Sequence, residues 1–267
     1  MEGIVVSGAA GRMGSTVVRL AHQAGAPGVV GAIEYSASPQ LGKDAGEVAG
    51  VSRIGVPITA DMAPLLTEGV VIIEFSTPEA TLEHVRSAAE KKIPVVIGTT
   101  GADQKQLDEI KERAQRTPIL LSANMSLGVN LLINILGKVA RKLGDDYDVE
   151  IIEAHHRFKK DAPSGTAIAM GRAIAEGLQR DLDKVGINGR KGIVGERTQK
   201  EIALLSVRAG DIVGDHTVVF GGIGERLEFI HRAHSRENFG RGALRAAQWL
   251  AHQKPGLYGM QDMLGLD

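Results

Sequence analysis

The reactive side chains of this chain are concentrated in one string, Glu153-Ala154-His155-His156-Arg157-Phe158-Lys159-Lys160-Asp161-Ala162-Pro163-Ser164-Gly165-Thr166. Five of these residues can be cationic: His155, His156, Arg157, Lys159 and Lys160. Such a cluster attracts anions, and it eases deprotonation of a lysine because its neighbours disfavour another positive charge. Imidazoles change charge near neutrality. The string therefore offers donors for carboxylates and groups that can hand over protons. Two elements must hold it. Upstream, Tyr147 to Ile152 carries Val149, Ile151 and Ile152 and reads as a strand. Downstream, Ile168, Met170, Ala173, Ile174 and Leu178 recur at helical spacing. Pro163 suits the first helical turn. Gly165 and Thr166 then fall at a helix N-terminus, whose free N–H groups and partial positive charge bind carboxylate or phosphate. A metal explains the string poorly. His155 and His156 are adjacent and point to opposite sides of a continuing strand, and no H-E-x-x-H pairing occurs.

A second chemistry-bearing stretch lies at the start. Ile4-Val5-Val6 reads as a buried strand, and Gly8-Ala9-Ala10-Gly11-Arg12-Met13-Gly14 follows it at once. The pattern G-x-x-G-x-x-G, between a strand and a helix, is a variant of the dinucleotide fingerprint, in which glycines allow a sharp turn and a close approach of pyrophosphate. A second strand, Val29 to Ile33, ends at Glu34, twenty residues after Gly14. An acidic residue there accepts hydrogen bonds from the adenosine ribose. Tyr35 stands where an arginine would bind the 2′-phosphate of NADP. NADH is therefore expected to serve at least as well as NADPH, with Arg12 and Lys43 as alternative carriers of the missing charge.

The chain has 267 residues, with 43% apolar and 24% charged residues, enough for one large or two modest globular domains. A net charge of −1 argues against a general nucleic-acid binder. Absence of cysteine removes disulfides and thiol chemistry and suits the cytoplasm. Met1 runs almost directly into the first strand, unlike a signal peptide. No apolar run approaches the ~20 residues of a membrane helix. Strands at Val70 to Phe75, Pro94 to Ile97 and Ile119 to Ser122 alternate with helices from Pro78 and Asp103, which indicates a parallel sheet covered on both faces. Gly98-Thr99-Thr100-Gly101 closes one strand with small and hydroxyl residues that suit a cofactor crevice. Leu41 to Val56, with Gly42, Gly46, Gly50 and Gly55, reads as a loop or poorly ordered excursion. Leu127 to Leu143 is the longest apolar helix. Arg180 to Lys200 reads as a flexible loop or lid. Strands from Ile202, His216 and Glu225 have no long helix between them and pair with Tyr147 to Ile152 in an antiparallel or mixed four-stranded sheet, whose open face is a candidate oligomer interface. The expected fold is α/β: a Rossmann-like domain of residues 1–126 and 236–267, and an α+β domain of residues 127–235. The tail after Pro255 should return to the first domain.

The string H-H-x-x-K-x-D-A-P-S-G-T-A resembles the signature of the dihydrodipicolinate reductase family. The likeness extends to G-A-A-G-R-M-G at the start, to Gly98–Gly101, to Ser122-Ala123-Asn124-Met125-Ser126 and to Arg208-Ala209-Gly210-Asp211-Ile212-Val213-Gly214-Asp215-His216. It implies a cytoplasmic oxidoreductase of diaminopimelate and lysine biosynthesis, usually a homotetramer built through the second domain's sheet. The implied reaction is NADH- or NADPH-dependent reduction of 4-hydroxy-tetrahydrodipicolinate to tetrahydrodipicolinate with loss of water. By similarity, Gly8, Ala9, Ala10, Gly11, Arg12, Met13, Glu34, Gly98, Thr99, Thr100, Ser122, Ala123, Asn124 and Met125 contact the dinucleotide. His155 and Lys159 match the proton donors, and His156, Gly165 and Thr166 match the substrate site. His155 is the expected donor and Lys159 its assistant; which acts at which step is not fixed by sequence. The position of Tyr35 often carries arginine in the family.

Three other readings fit part of the chain. A different NAD(P)-dependent reductase of acidic aldehydes or imines shares the first half but does not explain H-H-x-x-K with S-G-T. A non-catalytic dinucleotide sensor leaves His155 and Lys159 without work. A Schiff-base lyase would use Lys159 and would be trapped by borohydride. The Tyr35 reasoning makes a prediction: Tyr35→Arg shifts the ratio of kcat/KM values toward NADPH. An unchanged ratio would show that another residue reads the 2′-phosphate.

Overall fold

Every residue of Gly3–Ser7 (β1) is buried, as expected of a strand flanked on both sides in a covered parallel sheet. In the computed structural model, which describes residues 1–266, β1 is followed in chain order by α1 (Arg12–Ala24), β2 (Val29–Ile33), α2 (Ala45–Val48), β3 (Ile58–Thr59), β4 (Val70–Glu74), α3 (Pro78–Lys91), β5 (Val95–Ile97), α4 (Gln104–Arg113) and β6 (Pro118–Leu121). Next come α5 (Leu127–Leu143), β7 (Asp148–His155), α6 (Gly165–Gly177), α7 (Leu182–Val185), β8 (Gly186–Ile187), β9 (Ile202–Arg208), β10 (Gly214–Gly221), β11 (Arg226–Ala233), α8 (Glu237–Leu250), β12 (Gly256–Tyr258) and α9 (Met260–Leu264). The chain forms two compact units, one of Met1–Leu127 with the segment from Arg236 onward, the other of Gly128–Ser235. Among the described residues no helix is long and apolar enough to cross a membrane.

The first unit is a seven-stranded parallel sheet in the order β12-β6-β5-β4-β1-β2-β3. The order reverses between β1 and β4, and in open α/β sheets ligands bind outside the carboxyl ends of the strands at such a switch point. Apolar residues of α1 and α8 (Val17, Leu20, Ala243, Ala247, Leu250) fill one face, and Leu82, Val85, Ala88 and Ile110 of α3 and α4 fill the other. The tail, which has no clear sequence periodicity, extends this sheet: β12 pairs with β6, and Tyr258 packs edge-on against Trp249 of α8.

The stretch 41–56 departs from its expected looseness. Asp44 is buried and accepts N–H bonds from Gly46, Glu47, Ile54, Gly55 and Val56 at 2.7–3.2 Å. One carboxylate thus caps α2 and folds the following loop around itself. Burial alone would raise its pKa, but these amides lower it.

The second unit is a mixed sheet in the order β11-β10-β7-β9-β8. β7 runs parallel to β9 and antiparallel to β10, and β10 is antiparallel to β11. Four of these strands match the expected set; the two-residue β8 adds a fifth. Helices α5 and α6 cover one face through Val129, Leu136, Met170 and Ile174. The other carries Ile152, Val207 and Ile230, 38–48% exposed. The segment 180–200 is more ordered than a flexible loop: it contains α7 and β8, and Arg190 and Arg197 both bond to Glu150.

Asp44→Ala strips five amides of their acceptor. Its expected cost is on the order of 3 kcal/mol, read from urea unfolding. Unchanged stability would contradict the role given to this carboxylate.

Candidate active site

Two clusters gather the candidate residues, one in each unit. In the first, Gly8 has φ +68°, and an added Cβ would lie 2.3 Å from the Phe75 carbonyl oxygen. At Gly14 a Cβ would lie 2.0 Å from the Gly8 carbonyl oxygen. Glycine is therefore required where the turn meets β4 and where α1 packs on the turn. Gly11 caps α1 with no side chain, so the first amides of that helix meet no side-chain acceptor at the cap. Ala9 is buried, Arg12 is exposed and Met13 is half-buried. Glu34 lies beside the loop: its Oε1 accepts from the Ala10 N–H at 2.9 Å, so one oxygen is already engaged with protein. A cavity of about 530 Å³ is lined here by Gly8, Gly11, Glu34, Tyr35, Phe75 and His84, among others. Thr99, Thr100, Ser122 and Ala123 line a separate cavity of about 290 Å³ over the ends of β5 and β6. Gly98 lies under the Phe75 ring, which a Cβ would strike at 2.2 Å. Ser122 donates to the Asn124 carbonyl oxygen at 2.8 Å, the Asn124 side chain accepts from Ser126 N–H at 2.9 Å, and Met125 is buried in the core. An uncapped glycine turn, a carboxylate at the second strand end and a cavity at the switch point fit a dinucleotide.

This end of the sheet also holds groups that the sequence reading did not single out. Glu74, fully buried at the end of β4, lies 2.7 Å from His84 Nδ1 and accepts from Ser76 Oγ at 3.1 Å. Thr81 donates to Thr99 Oγ1 at 2.9 Å, which ties the start of α3 to the end of β5.

In the second unit, alternation along β7 puts Val149, Ile151, Glu153 and His155 on the helix-covered face. The first two join the apolar core. The last two meet polar partners, because β7 and β9 are parallel and end together. Glu153 is fully buried. Its Oε2 accepts from His155 Nδ1 at 2.6 Å and from Arg208 Nη1 at 2.8 Å; its Oε1 accepts from Arg208 Nη2 at 2.7 Å and from the Ser164 N–H at 3.1 Å. Burial pushes this carboxyl up, but Arg208, His155 and Ser206 outweigh it and hold the pKa at about 2. His155 is nearly buried, and Gly214 gives its ring room: a Cβ there would lie 3.1 Å from Nε2. Its pKa is lowered, first by burial and then by the charges of Lys159 and Arg208, against the pull of Glu153. His155 is therefore biased toward the neutral form, in place of the near-neutral titration expected of it.

Strand β7 runs to His155, so the cationic loop begins at His156. His156 is half-buried, and Arg157 and Lys160 are exposed. Phe158 stands 79% exposed among them. Lys159 pairs with Asp161 at 2.9 Å, and the carbonyl of Asp161 accepts from Arg208 at 2.6 Å. Pro163 is not in the first helical turn. It lies one residue before the cap, and Ser164 is the cap, its Oγ accepting from the Ala167 N–H at 3.1 Å. A serine hydroxyl satisfies the third helical amide better than proline can. Gly165 and Thr166 are the first two helical residues, as expected. Ser164 Oγ also lies 3.1 Å from Nε2 of the buried His216.

Glu153, Arg208, Gly214 and His216 take part in the site although their types and spacing in the sequence assign them no role. Glu153 was detectable as the residue two before His155, hence on the same strand face. Arg208 and His216 required the strand order and register of β9 and β10 against β7, which sets His155 beside Arg208 and Glu153 beside His216 and which a single sequence does not give.

Residues 3–125 match the model of the dihydrodipicolinate reductase N-terminus, and residues 128–264 match that of its C-terminus. A 4-hydroxy-tetrahydrodipicolinate reductase of Syntrophus aciditrophicus (strain SB) is 52% identical over 98% of this chain and 97% of its own. One from Geobacter sulfurreducens is 49% identical over the full length of both. Among solved structures, a dipicolinate-bound dihydrodipicolinate reductase from Paenisporosarcina sp. TG-14 has the same fold, with a TM-score of 0.76 and 24% identity over 98% of this chain and 99% of that one.

The buried imidazole of His216 is expected to make the second unit acid-sensitive. Burial, then the nearby His155 and His231, lower its pKa from 6.5 to about 4. The fold thus favours neutral imidazole. Its contribution is complete above pH 6.5 and is lost as pH falls toward 4. The difference is worth roughly 3 kcal/mol. In urea unfolding followed between these pH values, His216→Gln should lose less stability than the wild type. Parallel pH slopes would contradict this.

Proposed function

The chain belongs to the dihydrodipicolinate reductase family, and from that premise we propose how its own residues divide the work. The protein catalyses NAD(P)H-dependent reduction of 4-hydroxy-tetrahydrodipicolinate to tetrahydrodipicolinate, with loss of water, in diaminopimelate and lysine biosynthesis. The pyridine nucleotide supplies the hydride. The turn Gly8 to Met13 and Glu34 hold its diphosphate and adenosine ribose, and Gly98 to Thr100 with Ser122 to Met125 bound its path along the strand ends. Tyr35 is 64% exposed and carries no charge for a 2′-phosphate, which supports use of NADH at least as readily as NADPH.

The substrate is a cyclic dicarboxylate. The Gly165 and Thr166 amides at the start of α6, with His156 and Lys159, bind its carboxylates. The observation that carries the role assignment is the 2.6 Å bond from His155 Nδ1 to Glu153, in a buried setting that biases the imidazole toward the neutral form. A neutral His155 with Nδ1–H engaged presents an Nε2 lone pair. His155 takes a proton from the ring carbon beside the hydroxyl-bearing carbon and returns it there after reduction. The Lys159 ammonium donates the proton with which the hydroxyl leaves as water. One proton and one hydride are consumed and one water is released.

The open face of the second unit's sheet supports assembly, as a homotetramer. Cross-strand neighbours Ile152, Thr217 and Ile230 form a row on that face, with Val207 beside it. Exposed large apolar residues gathered on one sheet face favour use of that face as an interaction surface.

The reaction is tested by mixing the protein with aspartate semialdehyde, pyruvate and the preceding synthase and following loss of reduced nicotinamide absorbance. Oxidation that requires the synthase is expected. Its absence in a folded protein that binds NADH would contradict the reaction. His155→Ala and Lys159→Ala should each lower kcat by about 10²-fold or more and leave NADH affinity within about twofold. Parallel loss of NADH binding would contradict the roles.

A further inference from the structure

We propose that Glu153 is the positioning residue of the second unit's site: it fixes the tautomer of His155 and at the same time fixes the distance between that imidazole and the anion-binding start of α6. The inference rests on the assignment of His155 as the proton-moving group. Glu153 does not face the open end of the loop; it is fully buried and acts through its neighbours.

The bonds at this carboxylate reach the end of β7, the end of β9 and the start of α6. The Oε2 atom takes the Nδ1–H of His155 at 2.6 Å, so Nε2 is the nitrogen left to exchange protons. The Oε1 atom takes the backbone N–H of Ser164 at 3.1 Å, and Ser164 is the residue from which α6 begins. One rigid carboxylate therefore spans the imidazole and the helix cap. Arg208 closes the other side with bonds of 2.8 and 2.7 Å, one to each oxygen. The guanidinium balances the buried charge, so Glu153 stays ionised and does not compete for the proton on His155. Arg208 also donates to the Asp161 carbonyl at 2.6 Å, and Asp161 holds Lys159. The same pair thus restrains both ends of the 155–164 loop. A buried ion pair that served only stability would need neither the His155 bond nor the Ser164 bond, and replacing it would leave the imidazole tautomer where it was.

The test uses the full-length protein with ¹⁵N-labelled histidine. In the wild type at neutral pH, His155 should be the Nδ1–H tautomer. In Glu153→Gln the amide NH₂ turned toward the ring would require Nδ1 as acceptor, so His155 should change to the Nε2–H tautomer. The kcat of this variant should fall about 10²-fold, with KM for NADH within about twofold. Glu153→Asp retains the charge and should retain the Nδ1–H tautomer, with an intermediate kcat. A wild-type His155 found as the Nε2–H tautomer would overturn the proposal without any variant, should Glu153→Gln fail to fold. So would a folded Glu153→Gln with unchanged tautomer or unchanged kcat. Failure of the underlying role shows differently: His155→Asn would keep full turnover while the tautomer change in Glu153→Gln still occurred.

Discussion

A carboxylate taken fully out of water must be met by donors on nearly every side, and Glu153 sets that requirement for the second unit. Its charge alone would be prohibitive; Arg208, His155 and the Ser164 amide together make it stable. Each of those donors comes from a different part of the chain, the end of β7, the end of β9 and the start of α6. The parallel pairing of β7 with β9 brings two of them to one edge. Satisfying one buried charge therefore determines where the candidate proton-moving imidazole, its lysine neighbour and the helix start stand. Burial also biases His155 toward neutrality, so the cationic character of the string resides in Arg157, Lys159 and Lys160.

The first unit meets a different constraint, the need to bring backbone close to a ligand. There the answer is absence of side chains: at Gly8 and Gly14 a Cβ would collide with carbonyl oxygens. The glycine turn sits at the strand-order reversal between β1 and β4, and Glu34 braces it through the Ala10 amide. The cost of an uncapped helix start is tolerable where an anion supplies the missing acceptors.

Most of this fold was legible because its signals are local. Val70–Glu74 and Val95–Ile97 are short β-branched runs between helices, and the order of elements in the first unit follows from that alternation. The string around His155 was legible from charge density. What was missed depends on contacts distant in sequence. Asp44 organises 41–56 through amides up to twelve residues away, which leaves no periodic trace. Pro163 carries the fixed φ of a first-turn residue, yet Ser164 can cap and Pro163 cannot, so the helix starts two residues after the proline. The 180–200 segment looked loose because its anchors are Arg190 and Arg197 reaching back to Glu150, across forty and forty-seven residues. Arg208 and His216 join the site only through sheet pairing.

The helix start and the Glu153-braced imidazole are proposed to form one dicarboxylate site. The direct measurement is a crystal structure of the protein grown with NADH and pyridine-2,6-dicarboxylate. One carboxylate is expected within about 3 Å of the Gly165 and Thr166 amides, with His155 Nε2 facing the ring and Nδ1 still on Glu153. A dicarboxylate bound away from α6, or His155 swung off Glu153 when the site is filled, would contradict it.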